Sequence, residues 1–166
     1  MSEFFNAIDA QDEENIRRQA MMICDALYNK KAQDIMAIHV GDRTIIADWF
    51  VVCSGRATAQ VKALCDEIEE KAEGMGLSVR RIEGYSEGRW IVIDFGSILV
   101  HIFYPEEREY YNMERLWVDD PRGFVDYSKL MLETSARRSS GAGPQRRANN
   151  IEKSAYKRHT RVDKRR

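Results

Sequence analysis

Apolar residues between Asp12 and Lys31 recur at steps of three and four: Ile16, Ala20, Ile23, Cys24, Leu27 and Tyr28, with acids ahead of them and lysines behind. That spacing places them on one side of a helix whose end charges suit its dipole. Asp34 to Val40 and Trp49 to Cys53 are instead runs of Ile, Val and aromatic residues separated by Gly41-Asp42. Both read as strands, the second ended by Ser54-Gly55. Helical spacing returns from Thr58 to Gly74 at Val61, Leu64, Cys65, Ile68 and Ala72, with Gly74 and Gly76 supplying a flexible exit. Strand, helix, strand is the order of a crossover unit. Leu77 to Ile82, Trp90 to Phe95 and Ile98 to Tyr104 read as three more strands, the last two turning at Gly96-Ser97. Pro105 closes the sheet region. Glu106 to Leu116 then sets acids in its first turn and Tyr110, Met113, Leu116 and Trp117 on one side, which predicts a short final helix with Tyr110, Met113 and Trp117 packed beneath it. The order of elements predicts an α/β fold, a compact mixed sheet of about five strands flanked by helices.

After Pro121 the pattern weakens, and from Ser135 the chain reads SARRSSGAGPQRRANN, then IEKSAYKRHTRVDKRR, with few apolar residues to offset ordering entropy. A folded domain over residues 1–126 and a basic, disordered extension over 127–166 are expected, the last part (151–166) becoming helical against an acidic surface. The net charge of −1 conceals this division. Residues 137–166 carry eleven Lys or Arg against Glu152 and Asp163, a balance of +9, leaving 15 basic and 25 acidic residues in 1–136, a balance of −10. A body of that sign repels bare nucleic acid and suits a basic partner, whereas the tail can touch phosphate without reading sequence.

Cys24, Cys53 and Cys65 form no CxxC pair, and their odd number suits a reducing compartment. The acidic amino end lacks a basic n-region and a long apolar stretch, so no secretory or transit signal and no membrane span are expected, and the cytoplasm is the expected location.

Candidates for chemistry are few. Cys53 as nucleophile with His101 as base is one reading, and inert strand packing is the favoured one. His39 and His159 stand in unrelated settings, so no metal site is expected. Asp94-Phe95-Gly96 imitates a kinase metal motif, but the lysine strand and catalytic loop that would accompany it are missing, and a strand end with a turn explains it. The remaining signal lies in surface residues. Trp90 reads equally as an interface anchor or a core residue. Tyr104, Arg108, Tyr110, Tyr111 and Trp117 crowd together with Glu106, Glu107, Glu109 and Glu114. Aromatic residues, Arg and acids in one segment suit a surface that binds a basic protein.

Several of these residues carry a family resemblance. NKKAQDIMAIHV at 29–40, DWFVVCSG at 48–55, the Glu83-Gly84 step, Trp90 with Asp94, His101 with Phe103, and REYYNMERLW at 108–117 follow one another in an order that resembles the ribosomal silencing factor (RsfS, Iojap-like) family. Met113, where these proteins often have Leu, and Arg56-Ala57 after the glycine depart from the pattern. The resemblance implies an α-β sandwich related to the nucleotidyltransferase fold. It also implies binding to the large ribosomal subunit through ribosomal protein L fourteen, which blocks joining of the small subunit and represses translation under nutrient limitation. It points to Trp90, His101, Tyr104, Arg108, Tyr111 and Glu114 as the partner-binding residues. No catalysis and no cofactor are implied, since the Ser54-Gly55 loop is not followed by the carboxylate pair that a nucleotidyltransferase needs for its metals. Two alternatives stand beside this expectation: a large-subunit assembly factor using the same surface, and a degenerate nucleotide-binding protein. Some members form homodimers, through strand edges or the residue at Trp90. For the basic tail, contact with ribosomal RNA is favoured over a role in solubility alone.

Overall fold

A computed structural model of the chain describes residues 1–119 and 123–141, without the side chains of Phe4 and Phe5. In chain order it forms α1 (Ser2–Asn29), β1 (Gln33–His39), β2 (Trp49–Ser54), α2 (Thr58–Lys71), β3 (Arg81–Glu83), β4 (Trp90–Asp94), β5 (Ile98–Phe103), α3 (Pro105–Tyr111), β6 (Phe124–Asp126) and α4 (Tyr127–Ser139). Single 3-10 turns lie at Glu73–Met75 and Met113–Leu116. The strands make one mixed sheet in the order β3-β4-β5-β2-β1-β6. Only β2 and β5 run parallel. The other neighbours are antiparallel. The α/β fold expected from the pattern is therefore present, with a sixth strand added at the edge of β1.

Met1–Ser128 is one compact unit. Within it α1 and α2 cover one face of the sheet. The register aligns Ala37, Val51, Val100 and Ile93 in a row across four strands on that face, and all four are fully buried. Ile23 and Leu27 from α1 and Val61, Leu64 and Ile68 from α2 supply the helical half of the core. Gly55 lets the β2–α2 connection approach closely, because a Cβ there would lie 2.9 Å from Val61 Cγ2. Gly84, at φ +80°, serves the β3–β4 connection in the same way, since a Cβ would lie 2.0 Å from the Trp90 carbonyl oxygen.

Four local expectations are revised. The first helix begins at Ser2 rather than near Asp12, since its packed second half nucleates helix that exposed residues then extend. Extended pairing of β3 is confined to Arg81–Glu83, with Leu77 N–H instead donating to the Ala72 carbonyl. The final helix stops at Tyr111 because Asn112 takes the left-handed conformation (φ 40°, ψ 48°), and the chain restarts as the 3-10 turn. That break turns Tyr110 outward, 81% exposed, instead of under the helix. Finally, Tyr127 and Ser128 belong to the body: Tyr127 Oη donates to Asp25 Oδ1 at 3.1 Å, and Ile35 N–H donates to Ser128 Oγ at 2.9 Å.

The second unit begins at Lys129. Helix α4 continues in it to Ser139, inside the stretch where composition predicts disorder, while the rest of that expectation, residues 142–166 with the bound helix at 151–166, lies outside the described residues. Among the described residues no helix is long and apolar enough to cross a membrane.

A candidate protein-docking surface on the open sheet face

Side chains alternate across a sheet, so the register that buries one row also fixes which residues share the other face. On that face Met36, Val52, His101 and Val92 form one row, Phe124, Ile38, Phe50, Leu99 and Asp94 a second, and Ser54, Phe103 and Trp90 a third. Helices α1 and α2 lie on the opposite face. Ile38, Val40, Ala47, Phe50, Val52 and Phe103 are buried there under a partial roof of Met113, Trp117 and Val118. Trp90, Val92 and Leu99 remain half-buried at its margin.

Trp90 is the centre of an aromatic group. Its ring stacks on Phe103 at 5.0 Å and meets Tyr111 at 4.8 Å, and Tyr111 packs edge-to-face with Tyr110 at 5.0 Å. Tyr111 is 52% exposed. Trp90 Nε1–H donates to His101 Nδ1 at 3.2 Å, which assigns the ring proton of neutral His101 to Nε2. His101 is itself buried, and its Nε2 has no partner. Its hydrogen bond fixes the indole orientation, and its burial withholds it from direct contact with solvent.

Burial pushes the His101 pKa down to about 4, with the charge of Glu114 opposing the shift. Unfolded histidine binds its proton near pH 6.5, so between roughly that pH and the folded value the unfolded chain holds a proton that the folded chain lacks. Stability from this group is full above the unfolded pKa and falls as pH drops toward 4. The expected loss is on the order of 3 kcal/mol. Urea midpoints of wild type and His101→Gln at pH 7 and pH 4.5 test this, and equal pH sensitivity in both proteins would remove His101 as the cause.

Arg108 and Glu114, expected at the surface, lie mostly inside. Their side chains are 11% and 15% exposed and pair at 2.7 Å, and Arg108 Nη1 also donates to Ser54 Oγ at 2.9 Å. The pair ties α3 to the 3-10 turn and to the end of β2. It also engages the hydroxyl of the Ser54-Gly55 step, while Gly55 N–H donates to the Phe103 carbonyl. Tyr104 lies apart from Trp90 in a second group, with the Arg89 guanidinium 4.9 Å over its ring and Arg89 bonded to Glu106 and Glu107.

Of the six expected residues, the fold thus sets His101 and Tyr111 each against Trp90 and uses the Arg108–Glu114 pair to brace α3, which carries Tyr111. Tyr104 occupies the neighbouring ionic group. Sequence reasoning passed over Val92 and Leu99, which share the open face. Strand alternation relates them to Trp90 and His101, but no local signal tells which face the helices leave bare.

Cys53 pairs with Ile102 on the helix-covered face, whereas His101 points to the opposite one, so the two cannot act as a dyad. All three cysteines are buried free thiols, and desolvation raises Cys53 and Cys65 to about 12. Among the described residues no group of three His, Cys, Asp or Glu side chains is placed to hold a metal ion.

Known proteins resemble this chain over most of its folded length. The profile of a family described as ribosomal silencing factor during starvation matches residues 13–157. The ribosomal silencing factor of Bacillus subtilis is 37% identical over 116 residues, covering 70% of this chain and 96% of that protein. A mouse protein named mitochondrial assembly of ribosomal large subunit protein 1 is 31% identical over 99 residues, covering 58% of this chain and 43% of that protein. A crystal structure of a Chromobacterium violaceum protein superposes with a TM-score of 0.59 at 30% identity, covering 61% of this chain and 85% of that one.

Proposed function

We propose that this chain, which belongs to the ribosomal silencing factor family, binds the large ribosomal subunit through ribosomal protein L fourteen and so keeps the small subunit from joining. The observation that carries this reading is the sheet face opposite α1 and α2, where the half-buried Trp90 and the exposed Tyr111 present aromatic area. The acidic balance of −10 over residues 1–136 suits a basic ribosomal protein. Steric exclusion needs no catalytic group: a protein seated where the small subunit must dock competes with it by mass action. The buried Ser54 hydroxyl and the Gly55 amide, both engaged within the fold, lend no support to nucleotide binding.

The basic extension, with its +9 charge over residues 137–166, supplies the natural contact to ribosomal RNA. Under this reading the body to about Asp126 carries docking and the remainder adds affinity. A second reading, a role in large-subunit assembly, draws support from the mouse relative's name and uses the same surface.

Cosedimentation with separated ribosomal subunits, followed by a subunit-joining assay, tests the proposal. Binding to the large subunit alone, with joining inhibited, is the expected result. Absence of large-subunit binding would remove the reading. A shortened chain should end at Gly141 rather than Asp126, since Tyr127 and Ser128 bond to the body. It should retain binding with a reduced salt sensitivity, because most of the counterion release of the basic segment goes with the residues removed.

A further inference from the structure

Between β1 and β2 the chain closes a loop on itself. Val40 and Gly41 N–H donate to the Asp48 carbonyl at 2.9 and 3.1 Å, and Arg43 and Thr44 N–H donate to the Val40 carbonyl at 2.9 and 3.1 Å. Ile46 N–H donates to Thr44 Oγ1 at 3.2 Å. At the tip stand Ile45, 105% exposed, and Ile46, 66% exposed. Isolated exposed apolar residues are ordinary on protein surfaces, but two adjacent branched ones on a braced tip stabilise nothing in the fold and hold apolar area in water.

The bracing is specific. Ala47 is buried in the same cluster as Val40 and Phe50. The Arg43 guanidinium lies 5.3 Å over the Trp117 ring and donates to the carbonyls of Leu116 and Trp117. Trp117 in turn packs edge-on to Phe50 at 5.5 Å, and Phe50 to His101 at 5.1 Å. The loop is thus clamped to the 3-10 turn that roofs part of the open face, where Leu116 is also 71% exposed.

We infer that Ile45 and Ile46 are a further anchor of the docking surface and enter an apolar recess on the same protein partner that covers Trp90 and Tyr111. The inference rests on the docking reading above and extends it past the residues that reading named. Three observations choose a protein as the occupant. The tip is continuous, through Arg43 and Trp117, with the face proposed to dock. Its conformation is set before binding, so little ordering entropy is lost on contact. Its one cation, Arg43, is committed to backbone carbonyls, and Asp42 and Asp48 flank the tip, which disfavours both phosphate backbones and anionic bilayers.

The full chain carrying Ile45→Ser and Ile46→Ser is titrated against purified large ribosomal subunits beside wild type, Trp90→Ala, and an Ile45→Leu, Ile46→Leu control. Exposed positions make both loop variants safe for folding. The Ser pair is expected to bind about tenfold or more weakly, at every salt concentration, with the Leu pair close to wild type. Wild-type affinity of the Ser pair with loss in Trp90→Ala would overturn the loop inference and leave the docking reading standing. Wild-type affinity in both would remove the docking reading itself. Sedimentation velocity of the free proteins closes the remaining route: if the Ser pair changes only self-association, the tip is a contact between copies and the inference fails.

Discussion

Replacing Trp90 with Ala is expected to weaken binding to the large ribosomal subunit by roughly 2–4 kcal/mol, or about thirty- to a thousand-fold, the range of a central aromatic anchor. The half-buried indole is held by Phe103 on one side, Tyr111 on another and the hydrogen bond to His101, so its position is set before a partner arrives. The same substitution also costs stability. It opens a void over Phe103 and leaves His101 Nδ1 without its donor, together roughly 2–4 kcal/mol. A binding loss must therefore be separated from unfolding. Tyr111→Ala does so, since that ring is 52% exposed and its removal leaves the buried cluster intact. Both variants should stay folded by circular dichroism and both should lose affinity in a cosedimentation titration, Trp90→Ala more strongly. A folded Trp90→Ala protein that binds as wild type would move the docking surface elsewhere.

Arg108→Ala is the second large effect, and it falls on stability. The Arg108–Glu114 pair is mostly withdrawn from water, and Glu114 Oε2 has no hydrogen-bond partner. Removing the guanidinium leaves a carboxylate in a poorly solvated place and frees the Ser54 hydroxyl, which should cost about 3–5 kcal/mol. Replacing both members, Arg108→Met with Glu114→Leu, avoids the orphaned charge and should cost far less. Urea unfolding of Arg108→Met, Glu114→Leu and the pair, read as a double-mutant cycle, gives the coupling directly. An Arg108→Ala protein within about 0.5 kcal/mol of wild type would mean that solvent already screens the pair. The geometry also bears on mutational design: charge reversal at Glu114 sets a cation beside Arg108 and tests the brace of α3, not the docking surface.

The strands at β1, β2, β4 and β5 were legible because each is a run of β-branched and aromatic residues bounded by Gly, Asp or Pro, and both packed helices announced themselves by a three-and-four spacing. β6 was not. Phe124-Val125-Asp126 is too short to carry a period, and it is a strand because β1 offers an open edge for Ile38 and Phe124 to share. The break at Asn112 was equally hidden. Asn is only tolerant of a left-handed backbone, and the burial of Met113 and Trp117 against Phe50 and Val52 rewards it here, at the expense of Tyr110. Among the site residues, Arg and Glu in an acidic, aromatic segment looked like surface, and pairing across the fold drew Arg108 and Glu114 inward.

Local pattern by itself determined the α/β class, the principal strands and packed helices, the opposed charges of body and extension, and, through ordered motifs, the family. Each depends on neighbours within a few residues or on simple sums over the chain. Tertiary structure decided which sheet face α1 and α2 cover, that His101 is buried and bonded to Trp90, that Cys53 and His101 stand back to back, and that an apolar tip is clamped beside the open face. Those outcomes depend on register and crossover between segments far apart in sequence, and a period-two pattern is the same whichever face the helices choose to cover.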